Sequence, residues 1–281
     1  MILFISLGLA AIIAVALFYG ARRWQTATDE MHKNLDAARL PIERKTYDAN
    51  ELEGLPASVQ RYFRAALKDN QPMISAVSLE QTGTFNLSET GEQWKPFTAT
   101  QQVITQRPGF DWEARVMMMP GIAVRVHDAY IAGGGILHAS LFGLFTMANQ
   151  RGTPEAAQGE LLRFFAEAAW YPTALLPSQG VHWEAVDDTS ARATLRDGAT
   201  TATLQFRFGD DSLIELVRAE ARGRTVAGTT IQIPWEGGFG NYELRDGMRI
   251  PLTGEVAWML PEGSKTYFRG RVTKLNYELA Q

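Results

Sequence analysis

The chain begins with a continuous apolar run that contrasts with everything after it. Residues 2–19 carry no charge and are mostly aliphatic or aromatic. About 18 such residues just reach the length of a membrane-spanning helix. A cleaved signal peptide is the alternative, but no Lys or Arg precedes the run, and the bulky Tyr19 stands where a cleavage site needs a small residue. We therefore predict an uncleaved transmembrane anchor over residues 1–22.

The pattern after the anchor is polar with scattered apolar positions. Residues 23–52 predict a continuing juxtamembrane helix or stalk, and residues 53–281 a single domain. Near the beginning of this domain, apolar residues at helical spacing after Pro56 predict a second helix. Four basic residues follow the apolar run: Arg22, Arg23, Lys33 and Arg39. By the positive-inside rule, this charge bias favours a cytoplasmic position for the domain.

From about residue 75 the apolar spacing changes from helical to alternating. Two clear cases are Phe110, Trp112, Ala114 and Val116, and later Ala202, Leu204, Phe206 and Phe208. Alternation predicts strands with one buried face. Turn sequences at 106–109, 120–121 and 246–247 are short enough to join antiparallel hairpins. In the last strand the apolar phase shifts, which predicts a bulge near Thr273 and Lys274.

One helical segment interrupts the strands. Thr153 is a plausible N-cap, followed by Pro154 at the first helical position and Glu155 in the first turn. The segment is apolar around most of its girth, so we expect the sheet to wrap it. No linker-like tract divides the rest of the chain. The predicted fold is α+β and mostly β, with a large curved antiparallel sheet around an inserted helix.

Composition narrows the possible functions. The 27 basic and 31 acidic residues nearly balance, so the basic surface expected of a nucleic-acid-binding protein is missing. There is no cysteine, which excludes disulfides, thiolate metal sites and a cysteine nucleophile. No metal-binding or cofactor motif occurs. The sequence therefore predicts no metal and no cofactor.

Nucleophilic catalysis has little support in the sequence. No G-x-S-x-G elbow occurs, and only four histidines are present: His32, His127, His138 and His182. His127 and Asp128 are adjacent on a predicted strand, so their side chains point to opposite faces and cannot act as a base and its orienting acid. We interpret both as structural residues.

A polar stripe on the inserted helix is the first candidate site. Glu160, Arg163 and Glu167 lie at helical spacing on one face. If this face is exposed, it is an ordinary solvated surface. If the sheet encloses it, the three side chains must pair with one another or with strand residues such as Arg269 and Arg271. In that case they predict a polar floor inside an apolar cavity.

Aromatic residues near the end of the same helix are the second candidate. Trp170 and Tyr171 precede Pro172, and His182 and Trp183 follow shortly after; Trp258 and Tyr267 lie in the last strands. Trp and Tyr have a polar tip that favours a wet rim, but a well-filled core is the more favoured explanation of this group. We expect this group to close one end of the sheet, first as a plug and second as a binding rim.

The stretches GELLRFFAEAAWYPTALLPSQGVHWEAVDD and NYELRDGMRIPLTGEVAW, with YFRG, resemble an uncharacterised bacterial family of membrane-anchored or exported proteins of unknown function. The resemblance covers most of the chain from about Leu55. The residues that match are Glu160, Arg163, Glu167, Trp170, Tyr171, Pro172, Trp183, Asp187, Pro251, Trp258 and Arg269. It implies the half-barrel of periplasmic lipoprotein carriers, whose curved sheet encloses an apolar cavity for acyl chains. It also implies a periplasmic domain, against the charge bias.

Three functions remain open on the sequence. The leading hypothesis is a non-enzymatic binding protein, anchored in the bacterial inner membrane, that holds a lipid or acyl chain. The second is an interaction scaffold with a solid core, whose partner is another envelope protein. The third is an enzyme that uses Glu160, Arg163 and Glu167 together with His182.

Overall fold

The computed structural model describes residues 2–226 and 229–280. The helices of this part are α1 (Ile2–Ala37), α2 (Ala57–Ala66) and α3 (Pro154–Glu167). The strands are β1 (Ile74–Asn86), β2 (Trp94–Ile104), β3 (Gly109–Met119), β4 (Ile122–Ile131), β5 (Gly134–Leu141), β6 (Phe145–Arg151), β7 (His182–Ala185), β8 (Ser190–Asp197), β9 (Thr200–Phe208), β10 (Ile214–Val226), β11 (Thr229–Arg245), β12 (Met248–Leu260) and β13 (Gly263–Leu279).

All the strands belong to one antiparallel sheet, in the order β6-β5-β4-β3-β2-β1-β13-β12-β11-β10-β9-β8-β7. Each half of the chain forms a meander, and the first and last strands pair to join the two halves. The predicted α+β fold, mostly β with one inserted helix, is confirmed. The register of β1 against β13 slips between Lys274 and Val272, which confirms the predicted bulge at Thr273.

The sheet curves around α3. β5 and β9 stand nine positions apart in the strand order, so a flat sheet would separate them by about 43 Å at about 4.8 Å per strand. Nevertheless α3, about 10 Å wide, contacts both strands. A hydrogen bond of 2.8 Å from Tyr130 Oη to Asp197 Oδ2 also joins β4 to β8 across the enclosed space. The sheet therefore forms a half-barrel with α3 on its inner face.

The first part of α1 is apolar and exposed. Its exposed side chains include Leu7, Ile12, Val15 and Phe18. By length and composition this helix can cross a membrane, and a signal sequence would meet the same description. The division of the chain into an anchor, a stalk and a domain stays a prediction.

The second part of α1 packs on the outer face of the sheet. Its buried positions are Gly20, Trp24, Thr28, Met31 and Leu35, one helical stripe. At its beginning, Gly20 lies against the β5–β6 turn; at its end, Leu35 lies beside Gly109 at the start of β3. Part of the predicted stalk is thus docked on the sheet.

Polar contacts hold this docked part of α1. Trp24 Nε1 donates to Glu113 Oε1 at 2.6 Å, and the Trp24 indole stacks on His127 with ring centroids 4.6 Å apart. His32 Nε2 lies 3.2 Å from Asp111 Oδ2, and this hydrogen bond raises the pKa of His32 although burial opposes it. Burial opposes ionisation of Asp111, but hydrogen bonds from His127 and His32 outweigh it and lower the pKa of Asp111.

Strands β1 to β6 run between two ends of the half-barrel, which we call the hairpin end and the closed end. The hairpin end carries the β3–β4 turn at 120–121 and the β5–β6 turn at 142–144. The closed end contains the starts of β1 and β3. There, a series of short 3-10 turns within residues 168–179 covers the sheet: Ile74 N donates to Thr173 Oγ1 at 3.0 Å, and Gln106 Nε2 to Gln179 Oε1 at 3.0 Å.

Candidate functional site

Helix α3 supplies the polar residues of the inner face. Thr153 caps it, accepting a hydrogen bond from Ala156 N at 3.2 Å, and Pro154 begins it as predicted. Leu161, Leu162 and Phe165 are buried against the sheet. With these apolar positions fixed, the spacing of the helix directs Arg163 and Glu167 toward β2 and β4. The polar stripe is therefore largely enclosed rather than solvated.

Arg163 is the centre of a partly buried ion network. Its Nε donates to Glu167 Oε1 at 2.8 Å, and its Nη1 forms an ion pair with Asp128 of β4. The guanidinium also lies over the rings of Phe110 and Trp112, at 5.0 and 4.9 Å from their centroids. The network is thus held by charge pairs on two sides and by aromatic faces beneath.

A pair of carboxyl groups adjoins this network. Burial, the charge of Asp128 and a hydrogen bond to Asp128 raise the pKa of Glu160 well above its ordinary value, and Arg222 and Arg163 only partly oppose this. Burial and the neighbouring Asp128 therefore keep Glu160 protonated to a higher pH than a free glutamate. The network can hold a proton at this place.

Next to the network lies a cleft of about 100 Å³ between α3 and the strands of the second half. Six of the sixteen lining residues are aromatic, and a side chain at Gly237 or Gly254 would contact the Trp235 or Trp170 ring, so the absence of one at these positions opens the space. The lining residues are Phe85, Asp128, Arg163, Ala166, Glu167, Trp170, Arg222, Trp235, Gly237, Gly238, Phe239, Gly254, Glu255, Val256, Tyr267 and Phe268. Phe85 is one residue from the end of β1, so the cleft lies on the hairpin-end side of α3.

Two hydrogen-bond donors in the cleft have no acceptor in the described part of the chain. Trp170 is 4% exposed, yet its indole Nε1 makes no hydrogen bond. Arg222 lies over the Trp235 ring, 4.8 Å from the centroid, and has no hydrogen bond or ion pair with the residues described. Buried donors are normally paired, so Trp170 Nε1 leaves room for an oxygen acceptor, and the half-buried Arg222 offers a second donor to it.

Four of the ten predicted site residues line this cleft: Arg163, Glu167, Trp170 and Tyr267. Glu160 does not line the cleft but adjoins Asp128, which does. Tyr171 and Trp183 are core residues of the closed end: the Tyr171 hydroxyl donates to Phe164 O at 2.6 Å, and Trp183 Nε1 to Leu175 O at 3.0 Å. Trp258 stacks on Tyr267 from outside the cleft.

Arg269 and His182 lie away from the polar stripe. Arg269 is exposed and pairs with Glu255 at 2.6 Å, with its guanidinium over Trp94. His182 is exposed on the edge strand β7, next to the buried Trp183, so its side chain points away from the core. The structure therefore does not bring His182 to Glu160, Arg163 and Glu167.

His127 and Asp128 face opposite sides of β4, as predicted. Asp128 pairs with Arg163 inside, while His127 Nδ1 bonds Asp111 Oδ1 and its Nε2 bonds Thr28 Oγ1, both at 2.9 Å. Thr28, His127 and Asp111 have the order of a nucleophile, base and acid, but Thr28 is 2% exposed and His127 0%. No substrate can reach the Thr28 hydroxyl in this arrangement, so we interpret the cluster as docking α1.

Asp128, Arg222 and Trp235 were missed as site residues. The alternation of β4 did place Asp128 on the face opposite His127, but nothing in the sequence paired it with Arg163. Among the described residues, no group of three or more His, Asp or Glu side chains could hold a metal ion.

Comparisons with known proteins give a family but no activity. No curated protein matches the chain. A LolA superfamily protein from Nitrosomonas europaea is 11% identical, with 77% of this chain and 91% of that one covered and a TM-score of 0.33. A beta-barrel-like protein of a domain of unknown function (DUF1849) from Brucella abortus is 10% identical, covering 73% and 99%, with a TM-score of 0.21. A model described as a family of unknown function (DUF6920) matches residues 53–277. The chain therefore belongs to the DUF6920 family.

Proposed function

We propose that the protein is a membrane-anchored, non-enzymatic binding protein that holds a hydrophobic ligand, a lipid or an acyl chain, in the cleft beside α3. The observation that carries the proposal is an aromatic-lined space that contains the unpaired, buried Nε1 of Trp170. Apolar walls with a few convergent polar groups are typical of small-molecule sites.

The volume of the cleft limits which part of the ligand it takes. About 100 Å³ is smaller than a cavity of about 150 Å³ that is known to admit benzene in another protein. The cleft therefore accommodates one end of a ligand, and the remainder must extend beyond it. Rings such as Phe239 and Tyr267 offer apolar surface to that end.

The polar groups of the cleft favour a ligand with an oxygen acceptor. The carboxylate of Glu167 is already bonded by Arg163 and by Gln101 Nε2, the latter at 2.6 Å. The donors of Trp170 and Arg222 are unpaired among the described residues. A carbonyl, ester or carboxylate oxygen would satisfy them.

An anchor suits this role because a tethered cleft stays at high effective concentration next to its lipid supply. We propose that α1 provides this anchor in the bacterial inner membrane. The charge bias after the apolar run favours a cytoplasmic domain, and the sequence resemblance implies a periplasmic one. Whether the domain is cytoplasmic or periplasmic, the cleft would lie beside one leaflet of the inner membrane.

The second candidate function is an envelope interaction scaffold with a solid core. The small volume of the cleft favours it, because ligand sites for drug-sized molecules usually enclose about 300–1,000 Å³. A scaffold would retain no ligand.

Ligand retention distinguishes the two functions. The full-length protein is purified in a detergent that contains no lipid. Native mass spectrometry and organic extraction then measure the lipid that it retains. A leucine at Gly254 would begin 3.7 Å from the Trp170 ring and fill the cleft, so Gly254→Leu should lose a lipid that the wild type retains. Gly240→Leu is the matched control, because Gly240 adjoins Phe239 on the other face of β11. A wild type without lipid, even after incubation with membrane extract, would favour the scaffold.

A further inference from the structure

Exposed apolar side chains lie on both faces of the sheet at its hairpin end, near α1. They include Met117 and Met119 at the end of β3, and Phe145 and Met147 at the start of β6. Three of the four are more than half exposed: Met119 at 55%, Phe145 at 64% and Met147 at 60%. We call these four residues the hairpin surface. Exposed apolar side chains grouped at one end of a sheet make that end a candidate interaction surface.

The direction of α1 indicates what the hairpin surface contacts. Along the helix, Trp24 contacts Glu113, His32 contacts Asp111, and Leu35 lies beside Gly109. The helix therefore runs from the hairpin end to the closed end, antiparallel to β3. Residues before Gly20 must project beyond the hairpin end, and these form the apolar segment proposed as the anchor.

Gly20 fixes the level of the hairpins relative to that segment. A Cβ at Gly20 would lie 2.7 Å from Leu144 Cγ and closer still to Phe142 O, so the backbones of α1 and the β5–β6 turn are in direct contact. The first charged residues after the apolar segment are Arg22 and Arg23. Charged side chains belong at the edge of the hydrocarbon region, which therefore lies at about the level of Gly20.

The β3–β4 hairpin extends past this level. Val116 pairs with Val124, and Val124 pairs with Leu141, the last residue of β5. The three residues from Met117 to Met119 therefore continue beyond the end of β5, by about 10 Å at about 3.3 Å per residue. Residues 117–122 read MMMPGI and contain no charge. Apolar groups of interfacial elements enter a bilayer to about 5–10 Å, a comparable depth.

We propose that the hairpin surface is a second membrane contact beside α1, in which Met117 and Met119 enter the bilayer while Phe145 and Met147 lie at its interface. This inference rests on the proposed anchor, although it requires no bound ligand. The occupant is the lipid bilayer rather than a protein, because the surface continues the apolar segment of α1 at the same level. The contact holds the half-barrel against the membrane instead of leaving it to swing on α1.

Depth-dependent quenching tests the contact directly, and the chain suits it because it contains no cysteine. Met119→Cys, Phe145→Cys and Leu244→Cys are each labelled with the same small fluorophore on the full-length protein. Leu244 is the matched control: it is 63% exposed and lies near the end of β11, away from the β3–β4 and β5–β6 turns. The labelled proteins are reconstituted in vesicles of phosphatidylethanolamine and phosphatidylglycerol, with or without lipids brominated on their acyl chains.

We expect brominated lipids to quench the labels at positions 119 and 145 severalfold more than the label at 244. Equal quenching at all three positions would overturn the membrane contact and leave the ligand proposal intact, since ligand retention is measured separately. Failure of the full-length protein to enter the vesicles would overturn both the anchor and the contact. Quenching at 119 and 145 without any retained lipid would support the contact and refute the ligand site.

Discussion

Removal of Arg163 should destabilise the fold strongly, because no other cation among residues 2–226 and 229–280 is in direct contact with Asp128 or Glu167. The replacement Arg163→Met keeps much of the apolar stem but removes the charge. Asp128 and Glu167 would then remain beside Glu160 without the guanidinium that both of them contact. These groups are only 13–19% exposed, so water compensates little for the loss.

The expected magnitude follows from that burial. Breaking a buried ion pair by removing one partner costs about 3–5 kcal/mol. We take about 3 kcal/mol here, since some exposure remains and methionine retains contact with Phe110 and Trp112. For a domain of this size, each kcal/mol shifts the unfolding temperature by about 2–4 °C, so the loss should be about 6–12 °C.

The assay is thermal unfolding of the full-length protein in one detergent, followed by near-ultraviolet circular dichroism. Arg245→Met is the control: its ion pair with Glu243 is about half exposed on both sides and should contribute less than about 1 kcal/mol. Adding Asp128→Asn and Glu167→Gln to Arg163→Met should restore part of the loss, because no carboxylate in direct contact with Arg163 is then left unpaired. Equal effects of Arg163→Met and Arg245→Met would refute the interpretation of this network.

Two further predictions concern proton uptake and helix docking. Because the pKa of Glu160 is raised in the folded state, its contribution to stability is present below the ordinary glutamate pKa and is lost as the pH rises through the folded value; Glu160→Gln should remove this part of the pH dependence of the unfolding temperature. If the unfolding temperatures of the wild type and of Glu160→Gln depended on pH in the same way, this prediction would be wrong. Gly20→Ala should lower the unfolding temperature, because the new methyl meets the β5–β6 turn. Gly8→Ala, in the same helix with no atom within 4 Å, should leave it unchanged, and equal shifts would contradict the docking of α1.

Much of the fold could be predicted from local patterns, because strand alternation, turn residues and the Thr153 cap act over a few residues. The bulge at Thr273 was visible as a shift in the apolar phase. The docking of α1 was not predicted, although its spacing is helical: Trp24, Met31 and Leu35 lie on one stripe, and the outer face that they cover is formed by strands far along the chain. The pattern indicated a buried face but not its partner.

The site could be predicted only in part, for a similar reason. The stripe on α3 indicated Arg163 and Glu167, and burial decided that they are functional candidates rather than a solvated face. Asp128 and Arg222 belong to strands on opposite halves of the sheet, and only the curvature brings them to α3. Arg269 was expected at the same floor, but the alternation of β13 turns it to the other face, with Glu255.

The pairing of β1 with β13 has a consequence for synthesis of the protein. The free edge of β1 finds its partner only when residues 263–279, near the end of the described chain, have been made. Until then the ribosome has produced two meanders whose central edges are open, and unpaired edges are prone to wrong association. If α1 is the anchor proposed above, its early insertion into the membrane would hold the first meander in place during this delay. Assembly of the half-barrel would then be a late event, set by the last strand to emerge.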